Sequence, residues 1–459
     1  MIVIAFLIYL AKLVGGFLLI HLIWDSRELK ALILKFFLGA GMGAGISSAL
    51  YFLWSWLTLA SAIYPFFELI LLLVLIIMVW RKETKENLQT IRAQFSMPSK
   101  RTFFLMGLLL IAVLICIGNF SYLVRAAPHG FYDAWDIWNI GARFVYLSQH
   151  SWIGAVSQNA WDHADYPLLV TLNVADTWSM LGGDSPQVPV AFSLFFMLGL
   201  VGLLFSSLLI SNDLEQGTLV AIVVLSLVEL ADIGFFQYAD IQLAYFFLAT
   251  VTFLYLYTVE TDPRFLFLAG LFAGFSAWTK NEGGTFVIIS LLACLLLSFK
   301  EKKNLMKFFI FGLIFPLITV LLFKSIAPPN DLFFDKAKSF QQLFDISRYQ
   351  LILDQLWQKF TTFGSWKFSF LVILIVYALA LWKPRAVKGQ LWIPLGIFLF
   401  QFAGYLVIYL ITPHDLYWHL TTSLDRLMFQ VFPILIFWLF TLLPSPRSIF
   451  AEKLSQKSA

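Results

Sequence analysis

His129-Gly130-Phe131-Tyr132-Asp133-Ala134-Trp135-Asp136-Ile137-Trp138-Asn139 opens a polar, acidic, Trp-rich run. It continues through Ala142-Arg143-Phe144 and closes at His163-Ala164-Asp165-Tyr166-Pro167-Leu168-Leu169. An apolar span precedes the run and another follows it. Hydrocarbon cannot satisfy such polar groups, so a run bracketed in this way must sit at a membrane face. The fold therefore turns on whether the flanking spans cross a bilayer.

Composition says that they do. The 459 residues are 60% apolar and only 13% charged, with mean hydropathy +0.83. A soluble chain keeps about 25% charged residues to cover its surface. Here many apolar runs are long enough to cross roughly 30 Å of hydrocarbon, which predicts an all-α polytopic membrane protein. The 49 Phe and 16 Trp suit lipid contact and interfacial belts. A net charge of +4, with no basic stripe, excludes a nucleic-acid partner. Cys116 and Cys294 lie inside apolar spans and read as buried small hydrophobes rather than a disulfide.

Spans are expected near 1–23, 31–53, 57–80, 102–122, 187–210, 217–236, 240–258, 263–279, 284–299, 305–325, 366–382, 391–411 and 427–443, thirteen in all. The first lacks a cationic start and is too long for a signal-peptide core, so a retained anchor is expected. No internal repeat stands out, which argues against an inverted-repeat transporter.

Lys and Arg in short loops set the orientation. The 81–101 linker holds Arg81, Lys82, Lys85, Arg92, Lys100 and Arg101, and the 300–307 turn holds Lys300, Lys302, Lys303 and Lys307. The 383–388 turn adds Lys383, Arg385 and Lys388, and the tail adds Arg447, Lys453 and Lys457. All these, with 25–30, fall on one side, expected to be cytoplasmic. The opposite face receives 123–186, 237–240, 279–284, 328–364 and 412–426. Within 328–364, Tyr349, Ile352, Leu353, Leu356 and Phe360 follow helical spacing. They predict an amphipathic helix lying in the interface, either covering a lateral opening for a lipid or packed on the outer rim.

Asp133 and Asp136 stand three apart and share a helix face. Either is a candidate general base, though an acid three residues after an Asp also resembles a capping box. Pro167 keeps Tyr166 out of helix, so Asp165 is presented from a turn, to orient an acceptor or merely to form an Asx turn. The interruption Thr279-Lys280-Asn281-Glu282-Gly283-Gly284 puts charges where bilayers make them expensive. Lys280 is a candidate to neutralise a phosphate and Glu282 to orient it; a Lys–Glu pair in a plain turn is the alternative. Arg426, in the loop with His414, Asp415, Tyr417, Trp418, His419 and Asp425, is a candidate for bidentate phosphate recognition or an interfacial anchor. Gln237, Tyr238 and Asp240 line the same face or cap helices. His129, His163, Asp133, Asp136, Asp162 and Asp165 match no standard ligand spacing, so no cofactor is expected, with a divalent metal the open exception.

Phe131-Tyr132-Asp133-Ala134-Trp135, followed by Ile137-Trp138-Asn139 and Ala142-Arg143-Phe144, resembles bacterial membrane glycosyltransferases of the GT-C fold, the protein O-mannosyltransferase and aminoarabinose transferase group. Asp165-Tyr166-Pro167-Leu168-Leu169 is similar to the group's second loop motif, and Thr279-Lys280-Asn281-Glu282-Gly283 to its later luminal motif. The likeness covers 102–443, leaving 1–101 as added helices with a linker and 444–459 as a tail. It implies catalysis in the first long outer loop and a polyprenyl-phosphate-sugar donor. It puts the general base on Asp133, although Asp136 stands where the group has a small apolar residue.

The expectation is an inverting transferase in a bacterial inner membrane, its site facing the periplasm or outside, with a glycan, lipid or protein acceptor. Asp133, Asp136 and Asp165 are its catalytic candidates. Lys280, Arg426 and Arg143 would hold the donor phosphate; Trp135, Trp138, Tyr166, Asn281, Glu282 and His163 would hold substrate. A lipid-sugar flippase or transporter is the rival, for which Glu229 and Asp232 are the acids to suspect, and a purely structural subunit is a third reading.

Overall fold

The computed structural model describes residues 1–57, 63–84, 87, 94, 99–148, 151–330, 340–366, 368–381 and 389–449. Lys85, Arg92, Lys383, Arg385, Lys388, Lys453 and Lys457 lie outside the described residues. Within them the chain is helical and contains no strand.

Four helices open the fold: α1 Ile2–Ile23, α2 Leu29–Trp56, α3 Tyr64–Lys82 and α4 Lys100–Ala126. The long loop after α4 is structured. A π-turn, Ala134–Trp138, runs into α5 Asn139–Ser148, then α6 Trp152–Ser157 and α7 Leu169–Leu181. Then come α8 Gln187–Ser211, α9 Leu214–Leu225, α10 Val228–Phe236, α11 Asp240–Glu260, α12 Pro263–Thr279, α13 Glu282–Glu301 and α14 Met306–Lys324. The last four are α15 Ile346–Thr362, α16 Phe370–Ala380, α17 Trp392–Ile411 and α18 Leu416–Leu442.

Local chemistry explains several boundaries. Ser99, Asp213, Asp262, Asp345, Ser369 and Asp415 each cap the helix that follows, their side chains accepting a backbone N–H of its first turn. Gly182 ends α7 in the left-handed region at φ +71°.

Ten helices among the described residues are long and apolar enough to cross a membrane, the architecture of a multi-pass integral membrane protein. An eleventh follows if α9 and α10, bent by 65° at their junction, are one broken span. The expected thirteen included 263–279 and 366–382. These form helices of only 17 and 11 residues, α12 and α16. At 17 residues α12 reaches the lower end of the range that crosses hydrocarbon, and it returns the chain from Glu260 to Lys280 beside Asp240, whereas α16 is too short to cross unaided.

Burial grades across the bundle. The helix α11 is its centre, with nearly every residue buried, whereas α3 and α4 bury little beyond Tyr64, Cys116 and Phe120. Glycines let some helices touch backbone to backbone. A Cβ on Gly270 would lie 1.9 Å from the Phe309 carbonyl oxygen, and one on Gly312 1.9 Å from that of Phe267. This close approach of α12 and α14 is the small-residue packing of membrane helices. The N-terminal helices are tied inward by buried polar contacts. Lys12 meets Asp176 at 2.6 Å, and Trp278 Nε1 donates to Ser48 Oγ at 3.1 Å.

Ion pairs show which loops share an end of the bundle. At one end Lys82 meets Asp25, Arg101 meets Glu215, and Lys300 donates to Gln390. At the other, the 123–186 segment, 237–240, 279–284 and 412–426 converge. The basic turns that are described and the acidic loops thus sort to opposite ends. The amphipathic segment forms as α15, with Ile352 buried and Leu353 and Trp357 exposed beside it.

Candidate functional site

Four segments far apart in sequence meet in one ion network. Arg426, expected in a loop but standing about three turns inside α18, which already begins at Leu416, lies 2.7 Å from Asp133 and 2.9 Å from Asp240. Asp240, the first residue of α11, is fully buried. Its carboxylate is also 3.2 Å from Lys280 Nζ and accepts from Gln430 Nε2. Lys280 in turn lies 2.8 Å from Glu282. The order Asp133–Arg426–Asp240–Lys280–Glu282 sets three carboxylates against two cations. Burial works against the Lys280 ammonium, but the Asp240 and Glu282 charges overcome it and hold its pKa above the usual value.

Aromatic groups brace the network. The Arg426 guanidinium stands 4.3 Å from the centre of the Tyr238 ring, a cation–π contact. The Tyr238 hydroxyl accepts the Asp133 backbone N–H at 3.2 Å. Tyr405 donates to Gln430 at 2.6 Å, orienting the amide that meets Asp240.

A second cluster adjoins the first through Asn281. Asp165 accepts from Asn281 Nδ2 at 2.7 Å and Asn330 Nδ2 at 3.0 Å, with Lys324 Nζ 3.9 Å from its carboxylate. Lys324 also donates to the Asp165 carbonyl and to Asn281 Oδ1. His163, in the left-handed region at φ 51°, stacks on Tyr166 at 4.8 Å, and Tyr166 stacks on Trp138 at 5.6 Å. Trp138 is 1% exposed, so it builds the floor rather than the opening.

Burial pushes the Asp165 pKa up, but hydrogen bonds from His163, Asn281 and Asn330 and the Lys324 charge hold it below the usual carboxylate range. A group depressed in the fold stabilises above its unfolded pKa, and the contribution fades as pH falls through the folded value. Asp165→Asn is therefore expected to flatten the acid limb of the thermal midpoint against pH, below about pH 4. A mutant curve parallel to wild type there would contradict this.

The sequence candidates thus divide. Asp133, Arg426, Lys280 and Glu282 share one network; Asp165, Asn281, His163 and Tyr166 form its neighbour. The capping-box alternative is not realised, because Asp133 makes no cap hydrogen bond and turns to Arg426. Asp136 is half-buried and, among the described residues, has neither a hydrogen bond nor an ion pair. Arg143 stands apart from both clusters, paired with Asp184 at 2.7 Å in a cleft that Trp135 also lines. Asp240, expected to line this face or cap a helix, joins the two cations, and Lys324, Asn330 and Gln430 are additions of the structure. None of these three carried a signal in the sequence. Glu229 accepts the Gly364 N–H at 2.7 Å, holding the turn before α16. Among the described residues no group of three or more His, Cys, Asp or Glu side chains is gathered to hold a metal.

An apolar cleft of about 430 Å³ lies among α15, α16, α17 and α18, lined by residues including Phe360, Leu374, Phe402, Met428, Val431 and Trp438. Met428 is two residues beyond Arg426 and points to the other side of α18. From Met428 to Leu439 the cleft follows α18 for about 16 Å at 1.5 Å per residue. The chain matches no protein-family model, no curated protein and no solved structure.

Proposed function

We propose that the chain is a membrane glycosyltransferase that moves a sugar from a polyprenyl-phosphate donor to an acceptor hydroxyl or amine, inverting the sugar. The observation that carries this reading is the single network in which Arg426 and Lys280 stand beside the loop acid Asp133. The apolar cleft offers room for an isoprenoid tail within the bundle, on the side of α18 that looks away from Arg426. The likeness of the loop motifs to GT-C transferases supports the same donor. In this reading the network faces the outside of a bacterial inner membrane and the basic turns face the cytoplasm.

In this mechanism the donor phosphate takes over part of the pairing that Arg426 gives to Asp133. The freed carboxylate accepts the acceptor's proton as the nucleophile attacks the anomeric carbon. The glycosidic C–O bond to phosphate breaks, and the phosphate leaves with one more negative charge. Asp133 loses a negative charge in the same step, so the charge of the site is conserved while Arg426 and Lys280 hold the leaving group. A donor already anchored in the bilayer leaves only its head to be positioned.

Asp136 is the alternative base, favoured by the observation that no described group engages it. A transporter needs polar groups strung across the bundle, and Glu229, one of the acids it would use, is occupied by a turn. The test is transfer of labelled sugar from lipid-linked donors by the purified protein, with envelope lipids and glycans as acceptors. Labelled product, absent with Asp133→Asn and Asp136→Asn combined, is expected. Flux into liposomes without product would replace the transferase with a transporter.

A further inference from the structure

Resting on the transferase reading, we infer that the cleft beside the π-turn is the acceptor subsite and that it takes a neutral carbohydrate ring. The cleft measures about 330 Å³, at the small end of pockets that hold small molecules. It is lined by Trp135, Trp178, Arg143, Asp184, Asn139 and His129, among others.

The two Trp residues of the π-turn are used in opposite ways. Trp138 is buried, whereas Trp135 is 58% exposed at the cleft. An indole held open at the cleft offers a flat apolar face, which suits the C–H face of a sugar ring. The Trp178 indole N–H donates to the Ser185 carbonyl at 2.8 Å and the ring is buried, so Trp178 forms part of the cleft wall and Trp135 alone offers an open face. Between them, Arg143 Nε is fixed to Asp184 Oδ2 at 2.7 Å. That pair presents further N–H donors and a carboxylate acceptor side by side, the set that adjacent hydroxyls need.

Charge separates this cleft from the donor site. One guanidinium and one carboxylate cancel, so the lining favours a neutral ligand over a phosphate. Arg143 is thereby assigned to the acceptor rather than to the donor phosphate. Trp135 is followed directly by Asp136 and lies two residues from Asp133. A ring stacked on Trp135 would be held by the same π-turn that carries the loop carboxylates, which do not themselves line the cleft.

The test applies full-length protein in detergent to an array of neutral and acidic oligosaccharides. Wild type is expected to retain at least one neutral glycan. Trp135→Ala should weaken that retention about tenfold or more, and Asp184→Asn should weaken it too, with thermal midpoints unchanged because both side chains are exposed. Retention of no glycan, retention of acidic glycans alone, or undiminished retention by Trp135→Ala would each overturn the assignment. Glycan retention without sugar transfer would remove the transferase reading and leave the cleft standing. Transfer with an unaltered acceptor KM in Trp135→Ala would do the reverse.

Discussion

Replacing Arg426 with Ala is expected to destabilise the fold by about 3–5 kcal/mol, the cost of stranding a buried charge by deleting its partner. Asp240 is fully buried and would keep only Lys280 and the Gln430 amide, while Asp133 would lose its ion partner. The Tyr238 ring would lose its cation as well. A thermal midpoint in detergent reads this loss. The double variant Arg426→Ala/Asp240→Asn should lose less than the two single variants summed, because it removes the charge that the first change strands. Strict additivity of the two changes would show that the pair is not coupled. A lysine at 426 should recover part of the stability but little activity, since a point charge cannot bridge Asp133 and Asp240 as a planar fork does.

The second large effect is on turnover. Asp133→Asn is expected to lower kcat by about 10²–10⁴, the range of a general base removed, while donor binding persists. Asp136→Asn should change kcat far less. The two acids sit one helical turn apart but in different surroundings, one shared with Arg426 and one without a described partner. The opposite ranking would transfer the base to Asp136 and leave Asp133 as the residue that positions Arg426. Both variants should be checked for thermal midpoint, because Asp133→Asn also removes one side of an ion pair.

The meeting of Asp133, Lys280 and Arg426 was legible before any coordinates. Charged residues at span ends are costly unless they serve one another, and loop charge alone put all three on one face. The residue that joins them was harder to read. Asp240 opens a helix, where an acid also suits the helix dipole, so its burial between two cations left no mark in the sequence. Lys324 closes α14 and reads as an ordinary interfacial lysine, although it reaches Asp165 across more than a hundred residues. Arg143 reads as one of the phosphate cations because nothing in its neighbours reveals Asp184, which lies beyond α6 and α7. The span count suffered for a related reason. The helix α16 is an apolar segment like the others, and hydropathy does not report where a helix stops short.

Binding of polyprenyl phosphate against polyprenol by the purified wild-type protein tests the central claim most directly. The two lipids share a tail and differ only in the group that Arg426 and Lys280 would hold. The phosphate form should bind more tightly, and the difference should shrink in Lys280→Gln, which keeps Asp240 paired with Arg426. Equal binding of the two lipids by wild type would contradict a phosphate site at this network.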